Sequence, residues 1–215
     1  MELKSLPKIT KEKAALPLRQ DFARDPEFLD LFKETKQLYL FTILFHYQYS
    51  NALINNNIII SISELQSLYK VFKSHTKEEL LFFVEDIESD LFENKIVGHN
   101  EITYKIKEEY FDFTKSYFYL NISELKRMKI NSQKIALYLK SFGFHARFIR
   151  LSQIVDILGI DFKTQKQSQR LGKSIFDTLK KNGFVEDYKY DLKSKTFYFK
   201  LPKKEKKLIK IYSFN

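Results

Sequence analysis

The sequence predicts an α+β protein, mainly α with small β-hairpins, arranged as two tandem winged-helix domains. Three observations predict it. The order helix, short strand, helix, helix, strand, tip, strand is legible twice, over residues 25–107 and 131–201. That order is a helix-turn-helix closed by a β-hairpin. The last long helix, at 165–181, separates apolar from basic residues. Finally, charge divides with the copies. Residues 1–115 hold 15 Lys+Arg against 19 Asp+Glu, whereas residues 116–215 hold 22 against 8, for net charges of −4 and +14.

Residues 1–24 are polar and basic and are broken by Pro7 and Pro17, so they read as an arm without regular structure. Such an arm is either mobile or in contact with a DNA backbone. Asp25-Pro26 opens a helix with Pro at its first position. The apolar residues from Phe28 to Phe45 carry that helix to about Tyr49. Their density around Leu38–Phe45 suggests burial on more than one side, in a core or an oligomer contact. A turn at Asn55-Asn56-Asn57 leads to a β-branched strand over 58–62. Ser63 reads as the cap of a helix over 64–72. Thr76 with Glu79 is a capping-box pattern, and its helix runs to about Glu93. Strands over 95–97 and 102–106 form a hairpin around Gly98-His99-Asn100.

Residues 108–130 form an aromatic-rich joint that should pack between the copies, ending in a short helix over 124–128. In the second copy Ser132 reads as the cap of a helix over 132–142. A short strand at 148–150 follows, then a helix over 152–158 that Gly159 ends as an αL cap would. The helix 165–181 ends at Asn182-Gly183. Strands at 184–188 and 196–201 flank a basic tip over 189–195. Residues 202–215 hold five lysines and are either a nonspecific phosphate contact or a solvated tail.

On the helix 165–181, Ser168, Leu171, Gly172, Ile175, Thr178 and Leu179 share one face. The opposite face carries Lys166, Gln169, Arg170, Lys173, Asp177 and Lys180. In a major groove Arg and Lys pair with guanine and Gln with adenine. An ordinary amphipathic helix with a solvated face would have the same pattern. Lysines in the hairpin tip favour the DNA reading, because a wing needs cations at the phosphate backbone. The corresponding helix of the first copy carries Glu78, Glu79, Glu85, Asp86, Glu88, Asp90 and Glu93 against Lys77. It would repel phosphates, which leaves that copy freer for protein contacts. The other possibility is DNA contact through the arm or Lys105–Lys107.

With 215 residues, 44% hydrophobic and 16% aromatic, the chain can build a packed core and is not generally disordered. It has no Cys, which excludes disulfides and Cys-ligated zinc. No apolar run approaches the roughly 18–20 residues of a membrane span, and no signal peptide opens the chain. A cytoplasmic location without membrane contact is therefore expected. No enzyme, metal or cofactor is expected either. Gly172-Lys173-Ser174 resembles the end of a phosphate-binding loop, but the position needing Gly holds Gln167. His46, His75, His99 and His145 are isolated, with no metal-ligand spacing.

Two further stretches resemble a known family. They are Tyr119-Leu120 with Ile130-Asn131-Ser132-Gln133-Lys134-Ile135-Ala136-Leu137-Tyr138-Leu139-Lys140, and the segment from Ile149-Arg150-Leu151-Ser152 to Ile157-Leu158-Gly159-Ile160. The first resembles the helix opening the second domain of iteron-binding plasmid replication initiators, the Rep proteins of theta-replicating plasmids. Leu137-Tyr138-Leu139 matches that helix, and the second stretch matches the helix after it. Ala136 stands where that family often has Arg, and Lys181-Asn182-Gly183 replaces its usual Ile-Asn. The resemblance implies binding of double-stranded DNA at origin direct repeats, homodimerisation through the N-terminal domain, and contacts with a host replication initiator and helicase. Base readout would then fall to Gln165, Lys166, Gln169, Arg170 and Lys173. Backbone contacts would fall to Arg147, Arg150, Lys180, Lys189, Lys193 and Lys195. A winged-helix transcriptional regulator and a tandem winged-helix scaffold of a chromosome-partition complex are the alternatives. Inverted repeats beside the gene favour the first, and lack of DNA binding at moderate salt favours the second.

Overall fold

Twice along the chain a short strand, two helices and a hairpin close one small sheet, and each time the short strand pairs with the second arm of the hairpin. The computed structural model describes residues 15–50, 56–112, 116–121, 125, 127–143 and 147–202. The fold is α+β, with small antiparallel sheets.

The chain enters through β1 (Ala15–Arg19) and α1 (Gln20–Arg24). This corrects the reading of an unstructured arm over 1–24 for residues 15–24; residues 1–14 lie outside the described residues. The partner of β1 is β5 (Tyr117–Asn121), about a hundred residues later, so nothing local betrays the strand. Pro17 is tolerated because a two-stranded ribbon leaves one side of each strand unpaired. Leu18 is buried, and the buried Arg19 is satisfied by Asp21 and the carbonyl of Glu109.

The helix expected over 26–49 is two helices, α2 (Pro26–Asp30) and α3 (Thr35–Ser50). Gln37 explains the break. Its Oε1 accepts the backbone N–H groups of Lys33 and Glu34, capping α3 from within. Leu38, Leu40, Phe41, Ile43, Leu44 and Phe45 are all buried, as their density foretold. Two polar groups tie α3 to the first sheet: Gln48 accepts from the Ile106 N–H, and the Tyr104 hydroxyl donates to the Leu44 carbonyl.

In that sheet β2 (Ile58–Ser61) leads directly into α4 (Ile62–Leu68). The cap is Ser61, which accepts from the Glu64 N–H, and not Ser63. The helix stops at Leu68, and a 3₁₀ turn covers Lys70–Ser74. The capping box of Thr76 and Glu79 opens α5 (Lys77–Glu85) as expected. The helix ends eight residues before the expected Glu93. Lys95 reaches back from β3 (Phe92–Val97) to donate to the Val84 and Glu85 carbonyls. A cation on the last carbonyls of a helix stabilises that terminus. Strand β4 (Glu101–Ile106) completes the order β2-β4-β3.

The second unit opens with α6 (Ile130–Ser141). It starts after Lys129, so Ser132 is buried inside the helix and does not cap it. The short helix expected over 124–128 and the tail after Pro202 lie largely outside the described residues. Strand β6 (Phe148–Arg150) leads into α7 (Leu151–Leu158), ended by Gly159 in the left-handed conformation. Helix α8 spans Gln165–Lys181, with the predicted bounds. Its exit differs from expectation. The Gly183 N–H donates to the Lys180 carbonyl, and the Phe184 N–H to that of Leu179, with Gly183 at φ 72°. This is a Schellman closure. It takes Phe184 and Val185 out of the hairpin, so β7 is Asp187–Asp191 and not 184–188. The turn is therefore Leu192–Lys195, before β8 (Thr196–Lys200). Lys189 lies within β7, opposite Tyr198, and not at the tip.

The units share a contact. Helix α1 packs on α6, where the Arg24 guanidinium donates to Ser141 Oγ (3.0 Å) and the Ser141 carbonyl (2.7 Å) and lies 4.0 Å over the Phe142 ring. Helix α2 packs on α7, and Asp30 meets the buried Lys134 ammonium at 3.5 Å. Among the described residues no helix is long and apolar enough to cross a membrane.

Two stability predictions follow from this packing. A Cβ on Gly172 would sit 2.7 Å from Phe197 Cζ, inside the second core. Gly172→Ala should therefore destabilise by about 1–3 kcal/mol in urea denaturation despite the better helix propensity of Ala. A gain in stability would show that the ring yields freely. His46 is buried beside the Tyr69 hydroxyl, and burial lowers its pKa from 6.5 to about 4. Between those values the unfolded chain takes up a proton that the fold refuses. Stability should therefore fall as pH drops from about 6.5 to 4, by on the order of 3 kcal/mol. His46→Phe should flatten that part of the profile.

Candidate nucleic-acid interface

Helix α8 is pinned by its apolar side. Ile175, Phe176 and Leu179 are buried, and Phe176 lies flat on Phe197 with ring centroids 4.7 Å apart and planes 5° apart. The sequence reading placed Ile175 and Leu179 on this face but omitted Phe176, its central residue. Thr164 starts the helix by accepting the Gln167 N–H at 3.3 Å.

The face turned away from the core carries the candidates. Gln165, Lys166, Arg170, Lys173 and Lys180 are exposed, and Gln169 is half-buried. The helix runs alongside β7 in the opposite direction. At its start, the buried Tyr190 hydroxyl faces the Gln165 side chain without a hydrogen bond of sound geometry. Halfway along, the Tyr188 hydroxyl donates to Asp177 Oδ1 at 2.6 Å and lies 3.4 Å from the Lys173 carbonyl. Burial, with the Asp177 carboxylate second, raises the pKa of that hydroxyl, so it stays a donor. At the end, Lys180 pairs with Asp187 at 2.7 Å. Gln165, Lys166, Gln169 and Arg170 thus lie toward the hairpin turn, and Lys180 lies at the hairpin base with its charge partly matched.

The turn itself is organised by Asp191. Its carboxylate accepts from the Ser194 hydroxyl (2.6 Å) and from the N–H groups of Lys193 and Ser194, and these bonds hold its pKa below the usual range. Lys195 adopts φ 52°, and its carbonyl accepts the Leu151 N–H, tying the turn to the start of α7. Lys193 and Lys195 are left exposed. Arg147 and Arg150 are also exposed and bracket β6, one strand across from the hairpin's second arm. Lys189 is separate from this group: it projects from the middle of β7, beside Tyr198.

The first unit presents the opposite chemistry. Glu78, Glu79, Glu85 and Asp86 line the exposed side of α5 and its end, around an exposed Phe82. Lys105 is held by Glu93 (2.6 Å) and Glu108 (3.2 Å), which weakens the reading that places DNA on Lys105–Lys107. Among the described residues no group of His, Asp and Glu is placed to hold a metal.

The tyrosines of β7 were the elements missing from the sequence reading. Their signal was the alternation Tyr188, Tyr190 in a hairpin whose start was placed three residues early. The chain matches no protein-family model, no curated relative and no solved structure.

Thr164→Ala should cost about 0.5–2 kcal/mol, the usual price of a lost N-cap. Hydrogen exchange should speed up in the first turn of α8, at Lys166 and Gln167, and not at its buried centre. Uniform acceleration along the helix would show that the cap supports the whole helix.

Proposed function

We propose that the chain is a sequence-specific double-stranded DNA-binding protein, built of two winged-helix units, that acts as a plasmid-type replication initiator on origin direct repeats. The observation that carries the DNA reading is the end of α8 turned toward the hairpin. There Lys166 and Arg170 are exposed, with Gln169 half-buried between them, on a helix clamped from behind, near a turn that exposes Lys193 and Lys195. A rigid helix presenting Arg, Lys and Gln suits a major groove, and cations on an adjacent loop suit the flanking phosphates.

The two sheets support the winged-helix reading, since β2-β4-β3 and β6-β8-β7 have the same order and both follow helix, strand, helix, helix, hairpin. In this reading Gln165, Lys166, Gln169, Arg170 and Lys173 face base edges. Arg147, Arg150, Lys193 and Lys195 face phosphates, while Lys180 and Lys189 are secondary, one ion-paired and one displaced from the tip. The acidic α5 makes the first unit a poor phosphate ligand and leaves it to protein partners: a second copy, or the host initiator and helicase. The initiator role itself rests on the resemblance of residues 130–140 and 149–160 to that family.

Selection of bound sequences from a random duplex pool, repeated across salt concentrations, tests both levels. Arg170→Ala should lose about 1–3 kcal/mol on the selected site and relax one base step. Lys193→Ala with Lys195→Ala should weaken all duplexes alike and lower the salt slope by about two. Equal loss on random DNA for Arg170→Ala would make it a phosphate contact. A selected inverted repeat in place of a direct one would overturn the initiator role while leaving DNA binding intact.

A further inference from the structure

We propose that the outer face of the second sheet, opposite α8, is a stacking platform for single-stranded nucleic acid. Strand alternation turns Ile149, Phe197 and Phe199 inward, where they are buried. It turns Phe148 and Tyr198 outward, where they are 57% and 47% exposed. The register sets these two side by side on β6 and β8, with ring centroids 6.3 Å apart and planes tilted by 45°, and places Lys189 next in the same row on β7. Arg147 and Arg150 flank Phe148 along its own strand, and neither they nor Lys189 has an ion-pair partner among the described residues. The acidic groups nearby are already engaged: Asp187 by Lys180, Asp191 by the turn, Glu186 by Lys200. Beside Phe148 an open groove of ≈ 220 Å³ continues the aromatic surface past Tyr138 and Phe142.

Two exposed rings with Lys189 in their row and Arg147 and Arg150 beside it call for a ligand that offers flat apolar faces and negative charge together. A single strand does so, because its bases are free to splay onto aromatic side chains while its phosphates meet Arg and Lys. A duplex hides those base faces in its own stack. The first unit supplies an internal contrast at the same register. Its outer row is Ile59, Thr103 and Ile96, with no ring and no cation, and Lys105 on the same strand is held by Glu93 and Glu108. The same fold position is thus aromatic and basic in one unit only.

The test is anisotropy of a labelled oligothymidine, beside a duplex of equal length, with the full chain. Phe148→Ala with Tyr198→Ala should weaken the single strand about tenfold or more, the scale of base stacking on a ring, and leave duplex affinity unchanged. Phe148→Tyr with Tyr198→Phe should retain single-strand binding, and Ile59→Ala with Ile96→Ala should not alter it. Arg170→Ala should do the reverse, weakening the duplex alone, so that failure of the platform and failure of the duplex reading are told apart. The platform is overturned if the wild-type chain does not bind the oligonucleotide, or if the alanine pair weakens both ligands equally or neither. It is also overturned if sedimentation shows the alanine pair turning a dimer into monomers, which would give this face to a second copy.

Discussion

The flat contact between Phe176 and Phe197 is the constraint on which the second unit depends. It seats α8 on the sheet at the one place where a missing Cβ, at Gly172, lets helix and ring come together. Once that seat is taken, the rest follows by helical periodicity. Ile175 and Leu179 must go inward, and Lys166, Arg170 and Lys173 must go outward. The same seat sends Tyr198 to the opposite side of the sheet from the helix, since neighbours on a strand alternate. One stacked pair therefore determines two surfaces of different character.

Where the chemistry is local, the sequence was a good guide. The bounds of α8, the capping box of Thr76 and Glu79, and the left-handed end at Gly159 were all readable, because each depends on residues within a few positions. Where the deciding partner is distant, the reading failed. Strand β1 exists because β5 pairs with it from far along the chain, and α5 ends early because Lys95 folds back on its carbonyls. Phe184-Val185 looked like the start of a strand, being apolar and β-prone. Their N–H groups are instead taken by Leu179, so the backbone closes the helix before any strand begins. The candidate site was legible on the same terms: the composition of the helix stripe was visible, whereas the placement of Lys189 depended on a hairpin register no local pattern reveals.

The two units show how little of the surface a topology dictates. Sheet order, helix order and even the strand-to-helix step at Ser61 and Arg150 correspond. Yet the exposed side of α5 carries carboxylates where that of α8 carries ammonium and guanidinium groups. Buried positions keep the pattern, since both cores need alternating apolar strands under an apolar helix face. Exposed positions are free of that demand and carry the difference in charge.

The contact between the units has a geometric corollary. Arg24 is held by Ser141 and Phe142, and Asp30 by Lys134, so that two successive helices of the first unit grip α6 at two points along its length. Two anchor points oppose swivelling in a way that one cannot. The offset between α5 and α8 is therefore a property built into the polypeptide, and the molecule can act as a caliper: whatever engages both jaws must come to it already at the right spacing.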